Sequence, residues 1–479
     1  MPSTHRILPR PAELFPLLAA LSFLTAIPVA AQTADSLPLT LDAAIASALR
    51  TGDEARAARL RVDVADAQVT VARAAALPQL RVNATQTHVM ESARAQAVGA
   101  VFNQPNTYNT NASISQPLFQ GGRLQAGRRA ARRVRESARL DESEDRAQVV
   151  LDVQRAYLQA LFTARALEIQ TSAYALAGER VVQAEQFERA GRAARYDVLR
   201  ARVEQANIEP NVIQARGDAE LAQLELKRLI NTPLDRPLKL VTVIDSTLVQ
   251  RIVAQAEGAG ATAERAAVRS AELVAAARRD AVTAARADLL PSVTFNAQLG
   301  YLAFPISGFP PGRGRLEPVA CPPGSAAERV CTQQNGGWFP DRSMNFAVSL
   351  PVFDGLRARG NIDLARAQSR LAELDLARER ERVRIEVAGA RENLDRAKAL
   401  YSARRQTVSE ADEAFRLASL RFARGLGTQL EVSDAQLALI TAQMTEARAI
   451  YDLYLAAASL SRALGASIPA IESTGEVTN

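Results

Sequence analysis

The chain is poor in the residues that most chemistry needs. It has two histidines, two cysteines, one tryptophan and four methionines in 479 residues. His88 is the sole histidine past the N-terminal thirty residues, which excludes a His-ligand cluster and makes a Ser-His-Asp triad improbable. No P-loop pattern is present, so no means of using a nucleotide is visible. These absences point away from an enzyme and leave no cofactor to expect. Beyond the N-terminus no apolar run is long enough for a transmembrane helix, so any membrane crossing must be made by strands. Aromatics are 5%, and alanine and arginine fill long helical tracts, a coiled-coil composition rather than one large globular core. The net charge of +6 gives a mildly basic surface that would favour anionic partners. Its arginines alternate with Glu and Asp as on solvated helix faces, and they do not cluster with aromatics into a nucleic-acid surface.

What is present begins with a leader. Arg6 and Arg10 precede an apolar core from Phe15 to Val29 and a small-residue site at Val29-Ala-Ala31, so residues 1–31 read as a signal peptide and the mature chain as starting near Gln32. A retained anchor fits less well, because Pro16 and Pro28 break the run. No cysteine near the cleavage site signals a lipid anchor.

The body of the chain is organised around one motif. In Asn345–Phe353, Phe346, Val348, Leu350 and Val352 alternate with polar or small residues, the period of a strand. After Asp354-Gly355 the period changes to seven, with Val387, Leu394, Tyr401, Val408, Phe415 and Phe422 as one seam and Ala390, Ala397, Ala411 and Ala418 beside it. No proline interrupts Leu356 to Ala423, which predicts one helix of about 100 Å. It ends at Arg424-Gly-Leu-Gly427, and a return helix carries Leu430, Leu437, Met444, Tyr451 and Ala458.

The same unit occurs earlier. Pro117 to Pro351 and Gly191 to Gly425 are both offsets of 234, so Gln116-Pro-Leu-Phe119 and the Gly191 turn repeat the later motif with a helical arm of equal length. Leu77-Pro78 and Leu290-Pro291 are offset by only 213, so the second strand–strand connection carries 21 extra residues. That insert holds Cys321 and Cys331, for which a disulfide closing a small surface loop is expected; a redox or metal site would want C-x-x-C spacing or a nearby histidine.

The expected layout is a signal peptide over 1–31, a first repeat over 32–230, a linker over 231–262, a second repeat over 263–465 and a tail over 466–479. Strands are expected at about 79–87, 109–119, 292–300 and 344–353, and helical hairpins at 123–229 and 356–464, with Pro210 kinking or interrupting the first return helix. The fold class is mainly α with a transmembrane β-barrel portion. Four amphipathic strands of roughly nine residues match a tilted bilayer crossing, yet about eight strands is the minimum for closure. Other copies of the chain must therefore complete the barrel, giving 8 strands in a dimer or 12 in a trimer. A soluble exported coiled-coil scaffold or adhesin would need only the helices and leaves the alternation of the strands unexplained.

The repeat, the prolines before strands, the two Pro-x-Phe motifs and the turn Arg424-Gly-Leu-Gly-Thr-Gln-Leu-Glu-Val-Ser-Asp434 together resemble the TolC-like outer-membrane efflux proteins over essentially the whole mature chain. The resemblance implies a homotrimer with one 12-stranded barrel in outer-membrane lipid and a 12-helix tunnel in the periplasm. It also implies a periplasmic adaptor and an inner-membrane pump of the RND or ABC type as partners. It places Glu431 and Asp434 at the periplasmic entrance, where three copies would form an acidic, cation-favouring ring; an ordinary helix start suited to its dipole is the competing reading. Asp197 and Arg200 are their first-repeat equivalents, and Arg200 or a neighbouring arginine is a candidate latch partner for Asp434. Gly191, Gly425 and Gly427 resemble the family's adaptor-docking tips, although a tight hairpin needs glycine in any case.

Overall fold

A computed structural model describes residues 37–91, 93–98, 106–242, 246–258, 265–305, 315–318, 332–335 and 337–465. The expected signal peptide, both cysteines with their expected disulfide, and the tail lie outside the described residues.

In chain order the elements are β1 (Leu37–Leu39), α1 (Leu41–Thr51), α2 (Asp53–Ala74), β2 (Gln79–His88), α3 (Ala93–Val98), β3 (Asn106–Gln120), α4 (Arg123–Arg189) and α5 (Arg195–Leu229). Then follow β4 (Leu238–Leu240), α6 (Ser246–Gly258), α7 (Ala266–Arg286) with a single 3₁₀ turn, β5 (Ser292–Ala303), β6 (Arg315–Pro318), β7 (Thr332–Asn335), β8 (Phe339–Ser349), α8 (Arg357–Arg404), α9 (Thr407–Ala423) and α10 (Gln429–Ala463).

The four long strands form one antiparallel sheet in the order β2-β3-β5-β8. The register carries the alternation straight across it. Leu80 faces Ile114, Ile114 faces Ala297 and Ala297 faces Met344, all on one side. The other side is a polar ladder: Ser115 donates to Asn296 at 2.9 Å, and Asn296 to Asn345 at 3.3 Å. Phe295 and Phe346, opposite each other on the apolar side, stack at 5.1 Å. Met344, Phe346 and Val348 are 68–75% exposed, so this is a sheet with an oily face that none of the described residues covers.

The helices repeat the order of the strands. In the half nearer the sheet, α2 packs on α4, α4 on α7 and α7 on α8; in the far half, α5 packs on α4, α4 on α10, and α10 on α8 and α9. The end of α5 meets the start of α2, where Arg228 pairs with Glu54 at 2.8 Å and Asn231 donates to the Thr51 carbonyl. The start of α7 meets the end of α10 through Glu386, which binds both Arg265 at 2.5 Å and Arg462 at 2.6 Å. One chain is thus a four-column, four-strand arc of wall. Thin seams suit the composition: buried Ala166, Ala173, Ala177 and Ala184 of α4 let backbones approach closely.

The large buried side chains concentrate midway, around Tyr157, Leu226, Leu394 and Tyr454. Each contributes roughly 1.5–3 kcal/mol by leaving water. Here β1 and β4 pair in parallel, and Tyr157 Oη donates to the Leu39 carbonyl at 2.8 Å. The linker over 231–262 therefore includes β4 and α6, which pack with the N-terminal segment as one module against α4 and α10.

Three expectations need correction. The helix from Leu356 to Ala423 is not continuous: it divides at Arg405-Gln406, where the backbone stays right-handed while the Thr407 hydroxyl donates to the Ala403 carbonyl. Its first-repeat counterpart α4 runs unbroken. Pro210 does not interrupt α5, which runs unbroken from Arg195 to Leu229 with Pro210 on an exposed position. The last strand spans 339–349, not 344–353. The second insert also carries a hairpin, β6–β7.

Strand leads to helix through two left-handed residues in each repeat. Gly121 and Gly122 have φ of 56° and 84°, while Gly355 and Leu356 have 69° and 68°. A Cβ at Gly121 would sit 2.8 Å from the Leu290 side chain. Of these four residues only Leu356 carries a side chain in this conformation, at a cost of about 1–2 kcal/mol. Leu356→Gly should raise the unfolding midpoint in denaturant, by about 1 kcal/mol in stability; an unchanged or lowered midpoint would exclude strain there.

At Glu386 burial raises the carboxyl pKa, but Arg265 and Arg462 outweigh it and hold the group below its ordinary value. Its stabilising contribution is therefore complete above the ordinary carboxylate range and lost as pH falls through the lowered value. Glu386→Gln should lower thermal stability at pH 7, and the gap to wild type should close on acidification; a gap independent of pH would refute the ionic role.

Candidate functional site

The helix tips are built alike. In the first, Arg192 N–H donates to the Phe187 carbonyl at 2.8 Å and Gly191 N–H to Glu188 at 2.9 Å; in the second, Leu426 donates to Arg421 at 2.8 Å and Gly425 to Phe422 at 2.9 Å. These are Schellman turns, with Gly191 at φ 68° and Gly425 at φ 75° supplying the left-handed residue. Gly427 has a different role: a Cβ there would crowd Arg421 and the Phe422 amide, so its smallness lets the chain turn back closely. The tips lean together through Phe187 and Phe422, 6.1 Å between centroids.

The four charged candidates separate. Asp197 accepts from the Ala194 N–H at 3.0 Å and so caps α5. Glu431 lies in the first turn of α10, capped by Thr428, with Arg421 at 3.7 Å. Arg200 pairs with Glu204 at 3.1 Å on its own helix. Asp434 is exposed, makes no ion pair among the described residues, and borders an open groove of about 510 Å³ with Arg404, Thr407 and Thr441. That groove lies against the α8–α9 break. The structure thus places Arg200 with Glu204 rather than with Asp434.

A polar chain that the sequence did not reveal joins the two hairpins. Arg180 of α4 is 9% exposed and donates to Gln436 of α10 at 2.5 Å; Gln436 donates to the Ala173 carbonyl at 3.4 Å. Ser433 of α10 donates to Glu204 of α5 at 2.7 Å. The guanidinium also lies 5.1 Å from the Phe415 ring, while its Nη2 has no partner. Burial pushes the Arg180 pKa down, with the Glu204 charge opposing. The heptad reading placed Leu430 and Leu437 in the seam of α10, but both are exposed and Gln429, Val432 and Gln436 are buried instead. A hydrophobic pattern cannot signal buried glutamines.

Among the described residues no helix is long and apolar enough to cross a membrane, and no group of His, Cys, Asp and Glu could hold a metal ion. What crosses lipid in such a fold is the oily-faced sheet. An amphipathic four-stranded sheet feeding two coiled-coil hairpins of equal length defines the wall of an outer-membrane channel and periplasmic tunnel. A profile described as "Outer membrane efflux protein" matches residues 44–232 and 260–466, one segment per repeat, and the chain belongs to that family.

Relatives agree. The chain is 26% identical over 406 residues to the toluene efflux pump outer membrane protein TtgF of Pseudomonas putida, covering 83% of this chain and 77% of TtgF. It is 24% identical over 431 residues to the cobalt-zinc-cadmium resistance protein CzcC of Cupriavidus metallidurans, covering 89% and 90%. The crystal structure of the outer membrane protein VceC from Vibrio cholerae superposes with a TM-score of 0.71 at 20% identity, over 90% of this chain and 97% of VceC. The protein is an outer-membrane efflux component, and the soluble scaffold or adhesin alternative falls. The family is one of channels rather than enzymes.

Removing the hydrogen-bond partner of a buried polar group costs roughly 1–3 kcal/mol. Gln436→Leu, which strands Arg180, should speed proteolytic cleavage at the 190–194 and 424–428 turns, while Leu437→Gln on the exposed face should not. Equal cleavage rates in both variants would remove the polar chain as the fastening of the tips.

Proposed function

We propose that the protein is a passive trimeric exit duct, docked through a periplasmic adaptor to an inner-membrane pump of the RND or ABC type. The observation that carries this reading is the matched order of strands and helix columns with two open flanks. β2 with α2 and α5 ends the arc on one side, and β8 with α8 and α9 ends it on the other. An open sheet edge cannot stand in hydrocarbon, so the flanks must meet flanks of other copies. Exposed leucines on those flanks, Leu60 of α2 and Leu364, Leu371 and Leu374 of α8, are suited to that contact. Three arcs of four strands make a 12-stranded barrel with a 12-column tunnel below it.

The polar ladder of Ser115, Asn296 and Asn345 then faces the lumen, and the face of Phe295 and Phe346 the lipid. The tips carrying Gly191, Gly425 and Gly427 form the periplasmic mouth, where the adaptor docks. Three copies of Glu431 and Asp434 make it acidic and cation-favouring. The cargo is a small molecule or a protein; the names of TtgF and CzcC span organic solvent and metal ions, so the fold serves more than one cargo class.

Planar-bilayer conductance of the detergent-extracted protein, run beside its oligomer mass, tests the reading. Trimers should give small cation-selective channels, and Glu431→Ala with Asp434→Ala should raise conductance and weaken cation selectivity severalfold. A monomer without conductance would sink the duct; unchanged conductance and selectivity in the double variant would sink the acidic mouth.

A further inference from the structure

The junction between sheet and helices carries a concentrated positive charge beside an apolar girdle. On the sheet side exposed apolar residues cluster at the strand ends: Leu77, Leu118, Phe119, Leu290, Val352 and Phe353, the last two 93% and 82% exposed. Within about three helical turns on the other side stand Arg73, Arg128, Arg132, Arg286, Arg357 and Arg359. None of these six has an acidic partner among the described residues, and all but Arg128 are exposed. The acids at this level are already engaged: Asp288 by Arg123, Asp280 by Arg129 and Arg133, and Asp354 by the Ala358 N–H.

The surplus is large. Residues 58–78, 121–139, 270–291 and 350–373, the helix ends nearest the sheet with their connections, hold 17 arginines, no lysine and 9 carboxylates, against a net charge of +6 for the whole chain. This slab therefore carries a surplus of eight positive charges, and the remainder of the chain is slightly acidic. Identical copies side by side bring slab against slab at one level, each with the same surplus. Pairing across their interfaces can rearrange that charge but cannot cancel it. The counter-charge must come from outside the protein.

We propose that this arginine belt binds the anionic phosphodiester headgroups of phospholipids in the periplasmic leaflet, with the apolar girdle against the start of their acyl chains. The inference rests on the reading that the sheet spans the bilayer. An apolar girdle followed by cations is the order that a membrane–water interface selects, because arginine stems lie along apolar surface while guanidinium groups reach phosphate. Arginine's planar fork also matches phosphate oxygens in pairs. The belt fixes the depth of the barrel and the height at which the tunnel hangs below the membrane.

The test uses the purified full chain. Flotation with phosphatidylcholine vesicles first asks whether the sheet enters a bilayer at all. Native mass spectrometry then measures retention of phosphatidylglycerol and phosphatidylethanolamine by three proteins: wild type, a belt variant with Arg73, Arg128, Arg132, Arg286, Arg357 and Arg359 changed to Gln, and a control with Arg195, Arg216, Arg251, Arg391, Arg405 and Arg424 changed to Gln. Wild type and control should retain about tenfold more phosphatidylglycerol, with a preference that fades as salt rises, and the belt variant should retain both lipids alike. Equal retention by wild type and belt variant overturns the proposal, as does a belt variant that alters only the ion selectivity of the channel. If the belt variant does not fold, the salt dependence of the wild-type preference decides, and a preference insensitive to salt overturns it. A wild type that does not float refutes the bilayer-spanning reading itself; one that floats without lipid preference refutes only the belt.

Discussion

The structure depends on the obligation of backbone amides and carbonyls to find partners where water is absent. Inside each long helix the obligation is met within the segment. In the sheet it is met between strands, which leaves β2 and β8 with one edge unpaired. A four-stranded sheet with an oily face and two open edges is not a finished object. Its register makes one face continuous from Leu80 to Met344 and the other a ladder of amides and hydroxyls. Lipid suits the first face, water the second, and further copies the edges.

Helical packing carries the same arc downward. The columns keep the order of the strands because each strand leads directly into, or out of, its own column through a two-residue left-handed turn or a short break. Alanine seams keep the wall thin, and among the described residues the substantial core lies midway, where α1, α6 and the β1–β4 pair pack against α4 and α10. That module holds the columns at the level where α5 gives way to α2 and α10 to α7. Glu386, bound by Arg265 and Arg462, joins three helices at this seam.

The two repeats have diverged in their helical arms. α4 is continuous, whereas its counterpart divides at Arg405-Gln406 beside the groove that holds Asp434. Arg180, Gln436, Ser433 and Glu204 tie the tips of the two hairpins with polar contacts where a coiled coil would ordinarily use apolar ones. A fastening of this kind responds to charge and hydration, unlike a leucine seam.

Sequence alone determined the repeat, the strand-to-helix switch and the glycine turns, because each is a local periodicity or a residue with special backbone freedom. The equal offsets from Pro117 to Pro351 and from Gly191 to Gly425 were sufficient for the arm length, and alternation in Asn345–Ser349 for the oily face. Tertiary structure decided what depends on partners distant in sequence. The burial of Gln429 and Gln436 follows from which helix lies opposite, so heptad counting misplaced Leu430 and Leu437. Proline at position 210 reads as a breaker in one dimension, yet α5 runs through it at an exposed position. Local rules set the elements; the identity of the neighbour across each seam set the site.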